Sequence, residues 1–329
     1  MQQLTPCPLY RLDMINGSFK GKSIISFDQF SIEDLHILFD LTGRMKHIAV
    51  NREPAHLLGG LLITLLFFEP SSRTFSSFAA ATKRLGGQTI EMQNPEAVSS
   101  VNKGESFEDT VHVLEAYSDA IVLRHPQAGS AQQAAEAAAI PVVNAGDGSN
   151  EHPTQTLLDL YTLYEHFGRL DHLTGLVAGD CLNSRTIHSL LRGFSLFKNN
   201  TIYLLSPASL RLTHDAFLTL SNRGLKIIEI SDVRDIPTDC HFWYWTRLQK
   251  ERFASRAEYQ DTLKSVVAVT PHLLQTYARK DMILMNPLPR VESIDPAVDA
   301  DERAVYLRSQ IRNGLYTRMA LLALVLGRV

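Results

Sequence analysis

Short runs of apolar residues alternate along this chain with longer segments in which apolar residues recur every three or four positions. The short runs are typical of strands buried on both faces of a parallel sheet, and they predict strands at Leu62–Phe68, Gln88–Met92, Ala120–Arg124, Pro141–Asn144, Leu176–Ala178, Thr201–Leu205, Leu225–Ile228, Phe242–Trp245 and Met282–Met285. The longer segments predict amphipathic helices, at Ser72–Leu85, Glu105–Tyr117, Ser130–Ala139, Thr154–Phe167, Ser184–Phe197 and Leu210–Arg223. This alternation predicts the α/β class.

The alternation falls into two halves, which indicates two domains. A predicted helix ends at Gly168, a residue type that favours helix C-termini, and the strand-and-helix pattern restarts at Leu173. The 329 residues are enough for two domains of ordinary size. The final segment, Arg303–Leu326, has a helical pattern that Asn313-Gly314 interrupts. We therefore expect two doubly wound parallel-sheet domains, with ligands at the carboxyl ends of the strands.

Composition and charge narrow the class of protein. The formal charge of −3 argues against general binding to nucleic acid or anionic membranes. The 3 cysteines, Cys7, Cys181 and Cys240, lack metal-ligand spacing, so we expect no metal and reduced thiols. Met1–Tyr10 lacks a secretory pattern, and the apolar run Leu57–Phe68 is shorter than the roughly 20 residues of a spanning helix. We expect a cytoplasmic protein.

One strand end has the chemistry of an anion site. The strand that ends at Phe68 is followed by a helix start made of Ser71, Ser72, Arg73 and Thr74. Free backbone N–H groups and the helix dipole attract anions at such a position, and a guanidinium suits phosphate. We interpret this turn as a phosphate site, although a helix cap with one surface arginine would look the same.

Two further strand ends in the first half carry polar side chains. Arg124-His125-Pro126-Gln127 follows one strand, and His152 with Gln155 follows another at a predicted helix start. A lone histidine is usually structural, but one beside a helix start with Gln155 on the same face is a better candidate to polarise a carbonyl group.

The second half repeats this arrangement with arginines. Arg185, Arg247 and Arg290 each follow a different predicted strand. Arginines that converge from separate strand ends suit a substrate with more than one carboxylate. The alternative is that each one makes an ordinary surface salt bridge.

A glycine-bearing segment near the start resembles a P-loop only superficially. Asn16–Ser23 has asparagine where the first glycine belongs, and an apolar run follows it instead of a helix. No GxGxxG pattern is present around Gly148 either. We therefore expect no nucleotide cofactor.

The motifs together resemble a known family. Ser71-Ser72-Arg73-Thr74, Arg124-His125-Pro126-Gln127 and His152-Pro153-Thr154-Gln155 are similar to those of the aspartate/ornithine transcarbamoylase family. Thr246–Arg252 and Pro287–Arg290 resemble the aspartate carbamoyltransferase catalytic chains within it. The resemblance runs from about Leu9 to Gly327. It implies transfer of a carbamoyl group from carbamoyl phosphate to L-aspartate, in a cleft between the two domains and without a cofactor.

The resemblance also implies domains and roles. Residues 1–152 with 304–329 would bind carbamoyl phosphate, and residues 153–303 would bind aspartate, with 153–168 as the inter-domain helix. The implied ligands of carbamoyl phosphate are Ser71, Ser72, Arg73, Thr74, Arg124, His152, Gln155, Pro287 and Leu288. The implied ligands of aspartate are Lys103, Arg185, Arg247, Gln249 and Leu288. The residues implied to act directly in catalysis are Arg73, Thr74, Arg124, His152 and Lys103.

Assembly is implied as well. In the family a catalytic homotrimer shares its active sites, and a loop of the neighbouring subunit supplies a serine and a lysine, matched here by Ser99 and Lys103. Glu69 and Arg252 match residues of domain closure. The sequence leaves open whether regulatory chains or other pathway enzymes bind to this protein.

Rival readings and departures remain. An ornithine-type enzyme is the nearest rival, but Arg185 and Arg247 suit two carboxylates better than a cationic substrate. An inactive homologue that serves as an assembly subunit is another alternative. The chain departs from the family at Asn286, where histidine is usual, at Asn102 in the loop, and at Phe75, where arginine is common.

Overall fold

The computed structural model describes residues 12–98 and 103–329 of the chain. The chain divides into two compact units: unit 1 comprises Met1–Leu157 and Gly314–Val329, and unit 2 comprises Leu158–Asn313. Both divisions fall inside helices. The domain boundaries expected from the sequence, after residues 152 and 303, lie slightly earlier in the chain and stay a prediction about the substrate-binding domains.

Unit 1 contains a parallel sheet with helices between its strands. Its four strands follow the order β2-β1-β3-β4 in the described part of the unit, with β1 at Leu62–Phe67, β2 at Gln88–Gln93, β3 at Ala120–His125 and β4 at Val142–Asp147. The helices are α1 (Ile32–Asn51), α2 (Ser72–Arg84), α3 (Pro95–Val98), α4 (Phe107–Glu115) and α5 (Ser130–Ala137), and α6 (Pro153–Phe167) leads into unit 2.

The strand register in unit 1 brings the ends of three strands together. Phe67 of β1 pairs with Arg124 of β3, and His125 of β3 pairs with Asp147 of β4. Because all of these strands are parallel, their carboxyl ends lie at one edge of the sheet. The polar segments that follow β1, β3 and β4 therefore meet at this edge.

Unit 2 contains a second parallel sheet. Its strand order is β7-β6-β5-β8-β9 among the described residues, with β5 at Thr174–Ala178, β6 at Thr201–Leu205, β7 at Lys226–Ile230, β8 at Phe242–Trp245 and β9 at Ile283–Met285. The helices are α7 (Arg185–Phe194), α8 (His214–Asn222), α9 (Arg256–Leu263), α10 (Pro271–Tyr277) and α11 (Ser309–Val325), of which α11 leads back into unit 1. The expected fold class, with two doubly wound parallel sheets, is confirmed.

The core of unit 2 explains a glycine in its central strand. The ring of Phe242 stacks on the ring of Phe194 with centroids 5.1 Å apart, and both side chains are fully buried. A Cβ atom at Gly175 would overlap the Phe242 ring. Only glycine leaves room for this aromatic pair, which packs α7 onto the sheet.

Two expectations about helices were wrong or incomplete. The interruption expected at Asn313-Gly314 does not occur, because α11 continues through both residues. The Asn313 amide donates to Thr162 and Glu165 at 3.2 and 3.0 Å, so packing overrides a weak local propensity. Helix α1 was not predicted, although Ser31 and Asp34 form a capping box at its start.

Within residues 12–98 and 103–329, no helix is both long and apolar enough to cross a bilayer.

Candidate active site

The turn between β1 and α2 begins the candidate site in unit 1. Ser71 is the N-cap residue of α2, and its side chain makes no capping hydrogen bond. The first turn of α2 contains no acidic residue, Ser72 and Arg73 are exposed, and Thr74 is buried. Backbone N–H groups at this end of the helix lack intrahelical acceptors, so the turn presents donors and positive charge to an anion.

Arg124, at the end of β3, lies beside this turn. Its Nη2 is 3.1 Å from a carboxylate oxygen of Glu69, and its Nη1 donates to the Ala145 carbonyl at 3.2 Å. Among the described residues no acceptor lies within reach of its buried Nε. Burial lowers the pKa of Arg124; the charge of Glu69 opposes this shift, and the nearby charge of Arg73 adds to it.

The mutual repulsion of Arg73 and Arg124 indicates what belongs at this position. Because the charge of Arg73 lowers the pKa of Arg124, an anion that contacts both guanidinium groups would offset this repulsion. Phosphate and carboxylate oxygens fit the planar fork of each group. The structure thus brings together the predicted residues Arg73 and Arg124 at the edge of the unit 1 sheet.

The loop between β4 and α6 is held from within by two buried carboxylates. Asp147 accepts from the backbone N–H groups of Gly129 and Glu151 at 2.9 and 3.1 Å. Glu151 accepts from the Ser26 hydroxyl at 2.7 Å and from the backbone N–H of Phe27 at 2.9 Å. These bonds fix the residues immediately before His152. Sequence reasoning assigned no role to either carboxylate, because their partners are remote in the chain.

The same loop packs tightly on the segment after β3. Gly148 has a φ of 53°, and a Cβ atom there would lie 2.6 Å from the Pro126 carbonyl oxygen. Its backbone N–H donates to the His125 carbonyl at 2.8 Å. Any larger residue would separate the two segments that carry Arg124 and His152.

His152 lies at the start of α6 and is only 5% exposed. Its Nε2 is 3.4 Å from the hydroxyl oxygen of Thr74, and its Nδ1 is 3.4 Å from the hydroxyl oxygen of Thr154. Gln155 follows in the first turn and donates its backbone N–H to the His152 carbonyl at 2.9 Å. The structure therefore brings Thr74 and His152, 78 residues apart in sequence, into contact.

In unit 2, the segment after β8 packs on the turn after β5. The Gln249 side-chain amide donates to the Asn183 carbonyl at 2.8 Å, two residues before Arg185 begins α7. Arg247 is half-buried, and its Nη1 donates to the Leu248 carbonyl at 2.8 Å. Of the residues predicted to bind aspartate, Arg185, Arg247 and Gln249 thus lie on two adjoining segments of unit 2.

The segment after β9 is organised by Asn286, one of the three residues expected to depart from the family. Asn286 is buried. Its Nδ2 donates to the Trp245 carbonyl at 2.6 Å, and its Oδ1 accepts from the backbone N–H of Leu288 at 2.6 Å. Leu288 has a φ of 56°, so the asparagine side chain stabilises an unusual backbone conformation at Pro287 and Leu288, whose carbonyls were predicted to orient the carbamoyl group.

Four further residues were predicted to take part in the site or in domain closure: Lys103, Arg252, Ser99 and Glu69. Lys103 and Arg252 are exposed. Ser99 lies outside the described residues, as does Asn102. Glu69 contacts Arg124, and its role in domain closure stays a prediction. In the described part of the chain no group of three or more His, Cys, Asp or Glu side chains is arranged to hold a metal ion.

The chemistry of each unit can now be stated. Unit 1 offers two guanidinium groups, a helix N-terminus and a histidine to a small phosphorylated ligand. Unit 2 offers Arg185, Arg247 and Gln249, a set suited to carboxylates.

Comparison with known proteins agrees with this chemistry. Residues 22–165 match the model of the aspartate/ornithine carbamoyltransferase carbamoyl-P binding domain, and residues 171–325 match that of the Asp/Orn binding domain of the same family. The chain is 44% identical to multifunctional protein pyr1-3 of Dictyostelium discoideum over 95% of its own length, but spans only 14% of that protein.

Two further relatives are matched over most of their length. The chain is 42% identical to the chloroplastic aspartate carbamoyltransferase of Arabidopsis thaliana, with 94% of this chain and 78% of the relative covered. Aspartate transcarbamoylase from Trypanosoma cruzi, solved with carbamoyl phosphate and aspartate, has a TM-score of 0.87 and 38% identity, with 96% of this chain and 100% of that chain covered. The two-domain family match, the fold and these identities agree, and the chain belongs to the aspartate/ornithine carbamoyltransferase family.

Proposed function

We infer that this chain is an enzyme with aspartate carbamoyltransferase activity, in which the carbamoyl group of carbamoyl phosphate passes to the amine of L-aspartate. The products are N-carbamoyl-L-aspartate and phosphate, and the reaction is a step of pyrimidine biosynthesis. The observation that carries this conclusion is the meeting of Thr74 and His152 beside the mutually repelling Arg73 and Arg124. It supplies an anion site and a carbonyl-polarising side chain at one place.

In this proposal carbamoyl phosphate binds to unit 1. The helix start Ser71–Thr74 and Arg73 hold the phosphate, and Arg124 bridges the phosphate and the carbonyl oxygen. Support comes from the uncapped N-terminus of α2 and from the unsatisfied Nε of Arg124. Thr74 and His152 bind the carbonyl oxygen, while Gln155 and the backbone carbonyls of Pro287 and Leu288 orient the carbamoyl NH₂ group.

L-Aspartate is the substrate assigned to unit 2. Arg185 and Arg247 bind its two carboxylates, and Gln249 assists them. The contact of Gln249 with the Asn183 carbonyl supports this grouping, because it fixes Gln249 beside the start of α7. A cationic substrate such as ornithine would be repelled by the same two arginines.

The reaction needs only positioning and charge stabilisation from the protein. The amine nitrogen of aspartate attacks the carbamoyl carbon and forms a C–N bond, negative charge grows on the carbonyl oxygen, and the bond from that carbon to the phosphate oxygen breaks. The departing phosphate takes the amine proton. Donors that are already aimed at the growing charge lower the barrier, and loss of one typically costs about 100- to 1000-fold in rate.

Assembly and compartment belong to the same proposal. We propose a cytoplasmic homotrimer with shared active sites, in which Lys103 and Ser99 of a neighbouring subunit complete each site. Because the Dictyostelium relative is a multifunctional protein and the Arabidopsis relative is chloroplastic, fused or attached pathway enzymes and another compartment are the alternatives. Measuring the mass of the native assembly in a cell extract separates a free trimer from fused or attached enzymes, and cell fractionation identifies the compartment.

The test of the activity is direct. Purified protein is supplied with carbamoyl phosphate and either L-aspartate or L-ornithine, and the carbamoylated product is measured. We expect carbamoyl aspartate and phosphate in equal amounts. An exclusive product from ornithine would shift the assignment to the ornithine-type enzyme, and no product from either amino acid at saturating concentrations would favour an inactive homologue.

A further inference from the structure

A buried guanidinium group lies behind the candidate site of unit 1 and has no part in the proposed reaction. Arg318, on α11, is 5% exposed, and its guanidinium lies 5.2 Å from the centre of the Phe78 ring. Its Nη1 donates to the Ser77 hydroxyl at 3.0 Å and to the Gly314 carbonyl at 3.2 Å. A buried charge is costly unless hydrogen bonds compensate it, so its orientation is well determined.

The other terminal nitrogen of Arg318 points towards the histidine of the site. Nη2 donates to the Thr154 hydroxyl oxygen at 3.5 Å, which is 3.4 Å from Nδ1 of His152. On the far side of the ring, Nε2 is 3.4 Å from the Thr74 hydroxyl oxygen. Arg318, Thr154, His152 and Thr74 therefore form one row, in unit 1, that ends at the proposed position of the substrate carbonyl.

The donors and acceptors along this row have a direction. A guanidinium group can only donate, so the Thr154 oxygen accepts from Arg318. A hydroxyl oxygen that accepts from a cation becomes a better donor and a poorer acceptor, which favours donation of the Thr154 proton to His152 Nδ1. In a neutral imidazole ring with an accepting Nδ1, the ring proton is on Nε2. Thr74 can accept from that nitrogen, or give way to a stronger acceptor.

We propose that Arg318 and Thr154 are positioning residues that hold His152 in the tautomer with its proton on Nε2. The inference rests on the proposed function, in which Nε2–H donates to the carbonyl oxygen of carbamoyl phosphate as negative charge grows there. With the opposite tautomer, a lone pair would face that oxygen and repel it. Neither residue touches substrate, and both act through the ring.

The hydroxyl of Thr154 is the group to remove. Thr154→Val keeps the shape of the side chain and removes the donor, whereas Thr154→Ser keeps the donor and serves as the matched control. Each protein is labelled with ¹⁵N-histidine, and the His152 ring signals are assigned by their loss in His152→Gln. Couplings between the ring nitrogens and the carbon-bound ring protons identify the tautomer without any substrate present.

We expect the wild type and Thr154→Ser to show the Nε2–H tautomer, and Thr154→Val to show a large share of the Nδ1–H form. The kcat of Thr154→Val should fall about tenfold, with a smaller change in the KM for carbamoyl phosphate, and Thr154→Ser should recover most of it. Arg318→Lys, which keeps a buried donor, should keep the Nε2–H form, and Arg318→Met should lose part of it.

The results that would overturn the inference are equally definite. An Nδ1–H tautomer in the wild type, or an unchanged tautomer in folded Thr154→Val, contradicts it even when the enzyme is active. Should Thr154→Val not fold, as judged by thermal unfolding, the tautomers of Arg318→Lys and Arg318→Met decide. Failure of the proposed function would appear differently, as a wild type that makes no carbamoyl aspartate.

Discussion

At the scale of single residues, the candidate site combines exposed and buried groups with different tasks. Arg73 is exposed at the start of α2, where it can meet a ligand from solvent, whereas His152 is almost fully buried against Thr74. An exposed cation contributes to capture of an anion as well as to the reaction. A buried polarising group contributes chiefly when charge develops on the substrate.

The first prediction separates these two tasks. Arg73→Ala should raise the KM for carbamoyl phosphate and lower kcat, since phosphate contacts exist before and during the reaction, with a total loss in kcat/KM of about 100- to 1000-fold. His152→Ala should lower mainly kcat. Steady-state kinetics with both substrates varied give these values, and Arg84→Ala, at the other end of the same helix, is the control. Equal losses of carbamoyl phosphate binding in both variants would contradict the assigned roles.

The second prediction concerns a half-buried histidine beside the unit 2 site. The His188 ring contacts the Cys181 carbonyl at 2.8 Å. Burial lowers the pKa of His188 below its usual 6.5, and the hydrogen bond to Cys181 only partly opposes this shift. The unfolded chain therefore takes up this proton at a higher pH than the folded chain. The contribution to stability is complete above about pH 6.5 and is lost as the pH falls through the lower folded-state pKa.

Urea unfolding at about pH 7.5 and about pH 5.5 tests this prediction. The wild type should lose stability at the lower pH, and His188→Gln should lose less. The same substitution at His214, which is exposed, controls for the change of residue type. An equal pH dependence in the wild type and in His188→Gln would show that His188 makes no contribution.

At the scale of elements, the β5 strand depends on close packing against β8 and α7. The third prediction is that Gly175→Ala destabilises the protein by about 1–3 kcal/mol, because its Cβ atom would meet the Phe242 ring. Denaturant unfolding measures the loss. Adding Phe242→Leu should relieve the overlap. The double variant should therefore lose less free energy of unfolding than the sum of the losses of the two single variants. If the two losses simply add, the destabilisation by Gly175→Ala does not come from overlap with the Phe242 ring.

The helices and strands also show which parts of the fold a sequence pattern can predict. Continuous apolar runs identified central strands such as β1, β5 and β8, because these strands are buried on two faces, whereas the edge strand β2 is largely exposed. The break expected in α11 was wrong, since the bonds of Asn313 to α6 could not be read from a local pattern. Helix α1 could have been found from the capping box at Ser31 and Asp34.

The candidate site shows the same limit. Its arginines and His152 were identified from motifs at strand ends, and their roles stay predictions. The groups that hold them were not identified: Glu151 contacts Ser26 across 125 residues of sequence, and Arg318 reaches Thr154 across 164. Contacts of that separation follow from the tertiary fold and leave no periodic signal in the chain.

At the scale of the whole molecule, the fourth prediction follows from the proposed shared sites. Arg73→Ala and Lys103→Ala should each be nearly inactive alone, because each removes one part of every site. When the two variants are mixed into trimers, some sites receive an intact Arg73 and an intact Lys103, so activity should partly return. Trimers of verified mixed composition are assayed against trimers reassembled from Arg73→Ala alone. No recovery would count against sites built from two subunits.

The division of α11 between the two units has a consequence for synthesis. Unit 1 needs Gly314–Val329, which contributes the fully buried Met319, Leu321 and Leu322. On the ribosome, a nascent chain can complete the fold of an N-terminal domain early only when its residues are contiguous. Of the two units, unit 1 is the first to begin emerging and the last to be finished, and a nonsense codon after residue 313 would leave it without part of its interior.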